Sequence, residues 1–281
     1  MKQTRQVLSS FDLKGRKSLG QNFLLDEKVL KQIADLAQIS ANDCVLEIGP
    51  GPGSLTKYLV QKAKKVVTIE LDPELVKILK AELKNPNLEI VQADILKFNF
   101  NEIMQQGEKI KLISNLPYNI STQVVFRLLE TPGLFSELYL MLQKEVADRI
   151  VAEPRTKEYG ILSVISQFHS EPQILLNLGP ESFKPRPKVN SALVKFRVLS
   201  EPRFRVADYQ DFKKLVRAGF AMRRKMLKNS LAKSGLGLSP EKVDELMARA
   251  AINPKSRAEE LSLEKLVLLA NLYSGGELPL A

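Results

Sequence analysis

Asn115-Leu116-Pro117-Tyr118 is the segment whose residue types carry the most specific chemistry. It sets a side-chain carbonyl at Asn115 beside the main-chain carbonyl of Leu116, with Pro117 stiffening the turn. Two acceptors so placed suit an amine whose lone pair is delocalised into a ring, such as the exocyclic amine of adenine. If each accepts one amine hydrogen, the nitrogen becomes pyramidal and its lone pair is localised for attack on an electrophilic carbon. Tyr118 adds a flat face on which a base can stack, worth roughly 1–3 kcal/mol per base. No general base is required, because the amine loses its proton after attack. The sole histidine, His169, lies far from these residues and is assigned no role. Positioning and lone-pair localisation must then supply the acceleration.

A second constellation lies upstream. The segment 47–56, EIGPGPGSLT, contains Gly49, Gly51 and Gly53, which permit a tight turn and close approach of backbone to ligand. Its G-x-G-x-G spacing differs from the G-x-G-x-x-G that seats a pyrophosphate on a helix N-terminus. Pro50 and Pro52 also remove N–H groups that a phosphate would use. A cofactor without phosphates fits better, and S-adenosyl-L-methionine is one. Glu70 is placed to accept hydrogen bonds from ribose hydroxyls, and Asp94 to accept one from the cofactor's adenine amine. No metal is expected.

These residues need a scaffold that brings strand ends together. Segments 44–49, 65–71, 87–94, 109–116 and 137–143 read as buried strands, while 54–64, 73–84 and 121–130 have helical spacing. Such alternation implies a mostly parallel sheet covered on both faces, with ligands at its carboxyl edge. Two further strands, 173–179 and 191–198, are joined by a segment too short for a crossover helix, so they are expected to pair antiparallel. The expected fold class is α/β: a Rossmann-like seven-stranded sheet with an antiparallel last strand, a variant associated with methyltransferases. After Glu201 only helical stretches follow, at 208–220, 223–233, 239–250 and 262–273. The expected domains are therefore 1–200, with a basic arm over 1–20, and a small all-α domain over 201–281.

Composition narrows the partners. The chain has 281 residues and a net charge of +10. Five basic residues oppose only Asp12 in the first twenty positions, and fifteen oppose ten acids after residue 200. A basic surface concentrates polyanions and releases their counterions on contact. The single cysteine, Cys44, permits no internal disulfide. With no signal-peptide core and no apolar run of membrane-spanning length, a soluble, cytoplasmic and monomeric protein is expected.

In order and spacing, 17–24 (KSLGQNFL), 47–56, IELD (69–72), QADIL (92–96), NLPYNIST (115–122), QKEVADRI (143–150), YGILSV (159–164), FKPRPKVNSALV (183–194) and RRKMLKNSL (223–231) resemble the rRNA adenine N6,N6-dimethyltransferases. The resemblance covers nearly the whole chain and is greatest to the bacterial enzymes acting on two adjacent adenosines near the 3′ end of 16S rRNA, in the small subunit or its precursor. It implies that Asn22, Leu24, Gly49, Glu70, Asp94 and Asn115 contact the cofactor, and that Phe183 faces Tyr118 across the target base. The FKPRPK loop, with Lys184 and Arg186, suits a splayed-out base flanked by phosphates. Arg223, Arg224, Lys225 and Lys228 are expected to open an RNA-facing helix, with Arg5, Lys14, Arg16 and Lys17 contributing from the arm. Three other readings compete: a 23S rRNA or DNA adenine target, a non-catalytic ribosome-assembly factor on the same fold, and, least favoured, a dehydrogenase.

Overall fold

The computed structural model describes residues 21–103, 109–131, 133–222 and 224–276. By internal contacts the chain divides into one unit of Met1–Ala147 with Glu171–Ser200 and a second of Asp148–Ser170 with Glu201–Ala281. The chain therefore passes between units near Glu201, and also on either side of Asp148–Ser170.

In chain order, β1 (Phe23–Leu24) leads to α1 (Glu27–Leu36), whose start is fixed by Asp26 accepting from the Lys28 and Val29 N–H groups at 3.0 and 3.3 Å. Next come β2 (Cys44–Ile48), α2 (Thr56–Leu59), β3 (Lys65–Glu70), α3 (Pro73–Glu82) and β4 (Leu88–Gln92). They are followed by β5 (Ile110–Asn115), α4 (Ser121–Leu129), β6 (Phe135–Gln143), α5 (Lys144–Val151) and α6 (Ile161–His169). Then β7 (Ser170–Leu178), β8 (Phe183–Lys184) and β9 (Ser191–Val198) precede α7 (Tyr209–Phe220), α8 (Leu227–Ala232), α9 (Pro240–Arg249) and α10 (Leu263–Tyr273).

The main sheet has seven strands in the order β4-β3-β2-β5-β6-β9-β7, and β1 pairs with β8 in a separate ribbon. Neighbours from β4 to β6 are parallel, whereas β9 runs antiparallel to β6. The runs of buried residues in β2, β3, β5 and β6 match strands covered on both faces. The chain winds outward from β2 to β3 and β4, then returns to β5 beside β2. A crevice outside the carboxyl ends of β2 and β5 follows from that reversal.

Two expected helices are shorter than their sequence pattern. The stretch 54–64 is helical only over α2, because the Asn87 amide captures the Val60 and Ala63 carbonyls at 3.0 and 2.9 Å. In the second unit, the stretch 223–233 is helical only from Leu227. The Leu227 N–H donates to the Ser256 carbonyl at 2.8 Å instead of one a turn back in its own helix. Arg224 and Lys225 therefore precede the helix they were expected to open. The core of this unit includes Phe168, Phe212, Leu215, Leu227 and Leu266, each essentially inaccessible. His169 bonds the Tyr209 hydroxyl there at 2.7 Å. Among the described residues, no helix is long and apolar enough to cross a membrane.

Candidate active site

A cavity of about 200 Å³ opens at the carboxyl edge of the sheet, lined from four consecutive parallel strands and the residues before β1. Gly49 and Gly51 come from the loop after β2, Glu70 and Leu71 from the end of β3, Asp94 and Ile95 from beyond β4, and Asn115, Leu116 and Pro117 from the end of β5. Gln21, Asn22 and Phe23 close another wall. The strand ends are tied together locally. The Gly49 N–H donates to the Ile69 carbonyl at 2.8 Å, and the Ser114 hydroxyl donates to the Ile48 carbonyl.

Glu70 is 6% exposed, yet its carboxylate accepts from two main-chain donors: Asp72 N–H on Oε1 at 2.9 Å and Gly51 N–H on Oε2 at 3.2 Å. Burial pushes this carboxyl above the ordinary carboxylate range, while the two N–H groups favour the charged form. A carboxylate has about four lone-pair sites, so capacity remains for a ligand donor such as a ribose hydroxyl. Asp94 accepts the Leu96 N–H on Oδ1 at 2.9 Å, which orients its carboxylate at the cavity wall. Leu71, although apolar, is 51% exposed. With Ile95 it gives the cavity apolar faces fit for a flat ring.

Asn115 has a divided amide. Its Nδ2 donates to the Asn22 carbonyl at 2.8 Å, whereas its Oδ1 is buried without a hydrogen-bond partner. An unmet buried acceptor costs on the order of 1–3 kcal/mol, which is tolerable where a ligand donor meets it. In the same turn the Pro117 carbonyl takes the Ile120 N–H, and the Tyr118 carbonyl takes the Ser121 hydroxyl. Among the described residues no donor is found on the Leu116 carbonyl.

The sequence-derived residues do not all lie here. Asn22, Gly49, Gly51, Glu70, Asp94, Asn115, Leu116 and Pro117 line the cavity, but Leu24 and Phe183 do not. Both are 3% exposed within one apolar cluster, locked as partners across the β1–β8 ribbon. Leu24 offers the cavity no side chain, and the Phe183 ring packs within the same apolar cluster. Tyr118 is half-buried beside the cavity, with its hydroxyl 2.5 Å from the Ser191 hydroxyl. Lys184 is exposed at the end of β8 and Arg186 on the loop before β9, and Arg224 and Lys225 are exposed before α8. Lys228 pairs with Asp244 at 3.6 Å. Arg223, residues 17–20 of the N-terminal motif and the basic arm lie outside the described residues.

Sequence reasoning missed Gln21, Leu71, Ile95, Asn119 and Ser191. The signal for Leu71 and Ile95 was their position immediately after the strand-end acids. Ser191 had no such signal, because its role depends on pairing across the sheet.

Glu47 was also missed. It lies on β2 behind the glycine loop, 2% exposed, and accepts from the Thr56 hydroxyl at 2.6 Å. Burial pushes its carboxyl up to about 8, opposed by the Thr56 hydrogen bond and assisted by the nearby Glu70 charge. The folded protein keeps this proton at pH values where an unfolded glutamic acid, near 4.5, has lost it. Stability is therefore expected to fall as pH rises from about 4.5 to about 8, by at most a few kcal/mol from this group. Glu47→Gln, neutral throughout, should melt higher than the parent at pH 8 and flatten that slope. Parallel melting curves against pH would assign the titration elsewhere.

The family model described as ribosomal RNA adenine dimethylase matches residues 12–274. The chain is 47% identical over 263 residues to a Clostridium botulinum protein named ribosomal RNA small subunit methyltransferase A, covering 93% of this chain and 95% of that one. A Geobacter metallireducens protein of the same name is 46% identical, at 92% and 95% coverage. Among solved structures, a dimethyladenosine transferase from Plasmodium falciparum superposes with a TM-score of 0.72 at 25% identity, covering 86% of this chain and 94% of that one. The 23S rRNA methyltransferase ErmE gives a TM-score of 0.67 at 28% identity, with 90% and 100% covered. With a family model matched across nearly its whole length, this chain, built on a seven-stranded α/β sheet, belongs to the ribosomal RNA adenine dimethylase family.

Proposed function

We propose that the protein transfers methyl groups from S-adenosyl-L-methionine to the N6 amines of two adjacent adenosines near the 3′ end of 16S rRNA, as a step in small-subunit biogenesis. The observation that carries this reading is Asn115 Oδ1, a buried acceptor with no partner, at the wall of a cavity lined with glycines and acids. Such an acceptor calls for a donor from a ligand, and a base amine next to the Leu116 carbonyl satisfies both. Glu70 and Asp94 suit the ribose hydroxyls and adenine amine of the cofactor, Leu71 and Ile95 its adenine faces, and the glycine loop its close approach. When bound, the cofactor supplies a sulfonium-activated methyl group.

The chain's own residues do the rest. Asn115 and Leu116 hold the amine hydrogens, which aims the nitrogen lone pair and excludes water from that position. Pro117 fixes the angle between the two carbonyls. Tyr118, steadied through its hydroxyl by Ser191, supplies the stacking face. Asp72 N–H and Gly51 N–H hold the Glu70 carboxylate in its accepting orientation. Lys184, Arg186, Arg224 and Lys225 are exposed cations suited to backbone phosphates, with the 201–281 helices serving as an RNA-binding domain. The names of the 46–47% identical relatives favour the small subunit over the 23S target in ErmE's name. A ribosomal substrate also places the protein in the cytoplasm.

The test is mass spectrometry of nucleosides from unmodified small and large subunits incubated separately with the protein and labelled cofactor. Labelled N6,N6-dimethyladenosine in 16S rRNA alone is expected. Label confined to 23S rRNA, or no methylated adenosine in either, would overturn the proposal.

A further inference from the structure

We infer that the main-chain carbonyl of Asn22 is a positioning group for methyl transfer: it orients the Asn115 amide and is the reason residue 115 carries an amide rather than a carboxylate. This rests on the function proposed above.

The Asn22 carbonyl lies 2.8 Å from Asn115 Nδ2. Were the amide turned over, two oxygens would meet at that distance, so the carbonyl fixes which end of Asn115 accepts. Oδ1 is thereby left as the buried acceptor with no partner. The carbonyl is itself held in place. Phe23 pairs with Lys184 and Leu24 with Phe183, and the Leu25 N–H donates to the Ser182 carbonyl at 3.0 Å. Phe23 is 8% exposed and packs with Leu75 and Ile78 on α3. A carbonyl anchored through the chain that follows it resists swinging away from a mismatched neighbour, so it selects for a donor at position 115.

A carboxylate would accept an amine hydrogen as well as an amide does, or better. It would also set a second oxygen, and negative charge, against the Asn22 carbonyl. Only the protonated acid, with its O–H in the place of Nδ2, reproduces the native pattern of one donor and one acceptor. The titratable groups around that position are Glu70 and Asp94 in the same cavity, Lys184 on the strand paired with β1, and Glu47 on the neighbouring strand β2, which burial keeps largely protonated. The two ionised acids outnumber the one cation, so the local field also favours the protonated form of an introduced carboxyl.

The discriminating variant is Asn115→Asp, read against pH. Single-turnover methylation of small-subunit rRNA would be measured for variant and parent between about pH 5.5 and 8.5, with thermal melting of both in parallel. The ratio of variant to parent rate is expected to be highest at the acid end and to fall about tenfold per pH unit above the carboxyl's pKa. The melting difference is expected to widen over the same range. A rate ratio that stays constant with pH, whether near one or uniformly low, would overturn the inference. So would a melting difference that does not change with pH, a readout that does not depend on turnover. If the parent itself methylates nothing, the proposed function fails, while the melting comparison still decides the role of the Asn22 carbonyl.

Discussion

Asn115→Ala is expected to lower methyl transfer at saturating cofactor and RNA by on the order of 10²–10³-fold, while cofactor affinity falls by no more than about tenfold. The two effects separate because Asn115 acts on two different partners. Toward the cofactor it offers at most one neutral hydrogen bond, worth about 0.5–1.5 kcal/mol. Toward the amine it supplies one of two acceptors that must act together, since a nitrogen held by the Leu116 carbonyl alone can rotate its lone pair back into conjugation. The loss therefore belongs to the chemical step, and kcat should drop without a matching rise in KM for RNA. Calorimetric titration of cofactor, paired with single-turnover kinetics, makes the comparison. Unchanged turnover would remove the lone-pair mechanism, and loss of cofactor binding by several orders of magnitude would make Asn115 chiefly a cofactor ligand. The substitution also removes the donor to the Asn22 carbonyl, so a small melting decrease is expected in either case.

The fold was legible because the main sheet's signals are local and repeated. Buried apolar runs alternate with helical spacing, and four of the parallel strands, β2 to β5, lead into residues that line the cavity. Glycines after β2, Glu70 at the end of β3, Asp94 beyond β4 and Asn115 at the end of β5 share one sheet edge because all four strands run the same way. What escaped the sequence depended on partners far along the chain. Asn22 meets Asn115 across ninety-three positions through its main chain, so no side-chain type could announce it. Tyr118 finds Ser191 through the placement of β9 next to β6. Leu24 and Phe183 belong to motifs that suggest ligand contact, yet their pairing turns both into the apolar cluster; alternation on a two-residue ribbon is too short to read. The start of α8 was misjudged because the helical periodicity of 223–233 says nothing about Ser256, whose carbonyl takes the Leu227 N–H. By contrast, α1 did have a local signal in Asp26, an N-cap followed by Leu30, Ile33 and Ala34 on one buried face.

Gly51→Ala is expected to have the complementary outcome: cofactor binding is lost with the stability of the loop, so that both ligand affinity and melting temperature fall. Gly51 has φ of +59°, a left-handed conformation that costs an L-residue roughly 1–2 kcal/mol. A Cβ added there would lie 2.8 Å from Phe23 Cδ1 and 2.9 Å from Cε1. Phe23 cannot retreat easily, since it is wedged against Leu75 and Ile78 and its main chain is paired to β8. Overpacking of this kind costs typically about 1–3 kcal/mol. Relief by shifting the loop would pull the Gly51 N–H from Glu70 Oε2 and leave a buried carboxylate with one donor fewer. Relief by shifting Phe23 would move the adjacent Asn22 carbonyl away from Asn115. Either route damages a part of the site the alanine does not touch. The expected total is on the order of 2–5 kcal/mol of stability, with cofactor affinity reduced at least about a hundredfold. Melting curves with and without S-adenosyl-L-methionine measure both. A variant that melts like the parent and is still stabilised by cofactor would show that the loop has room the present geometry denies it. The contact between glycine loop and Phe23 would then not be what closes the cavity.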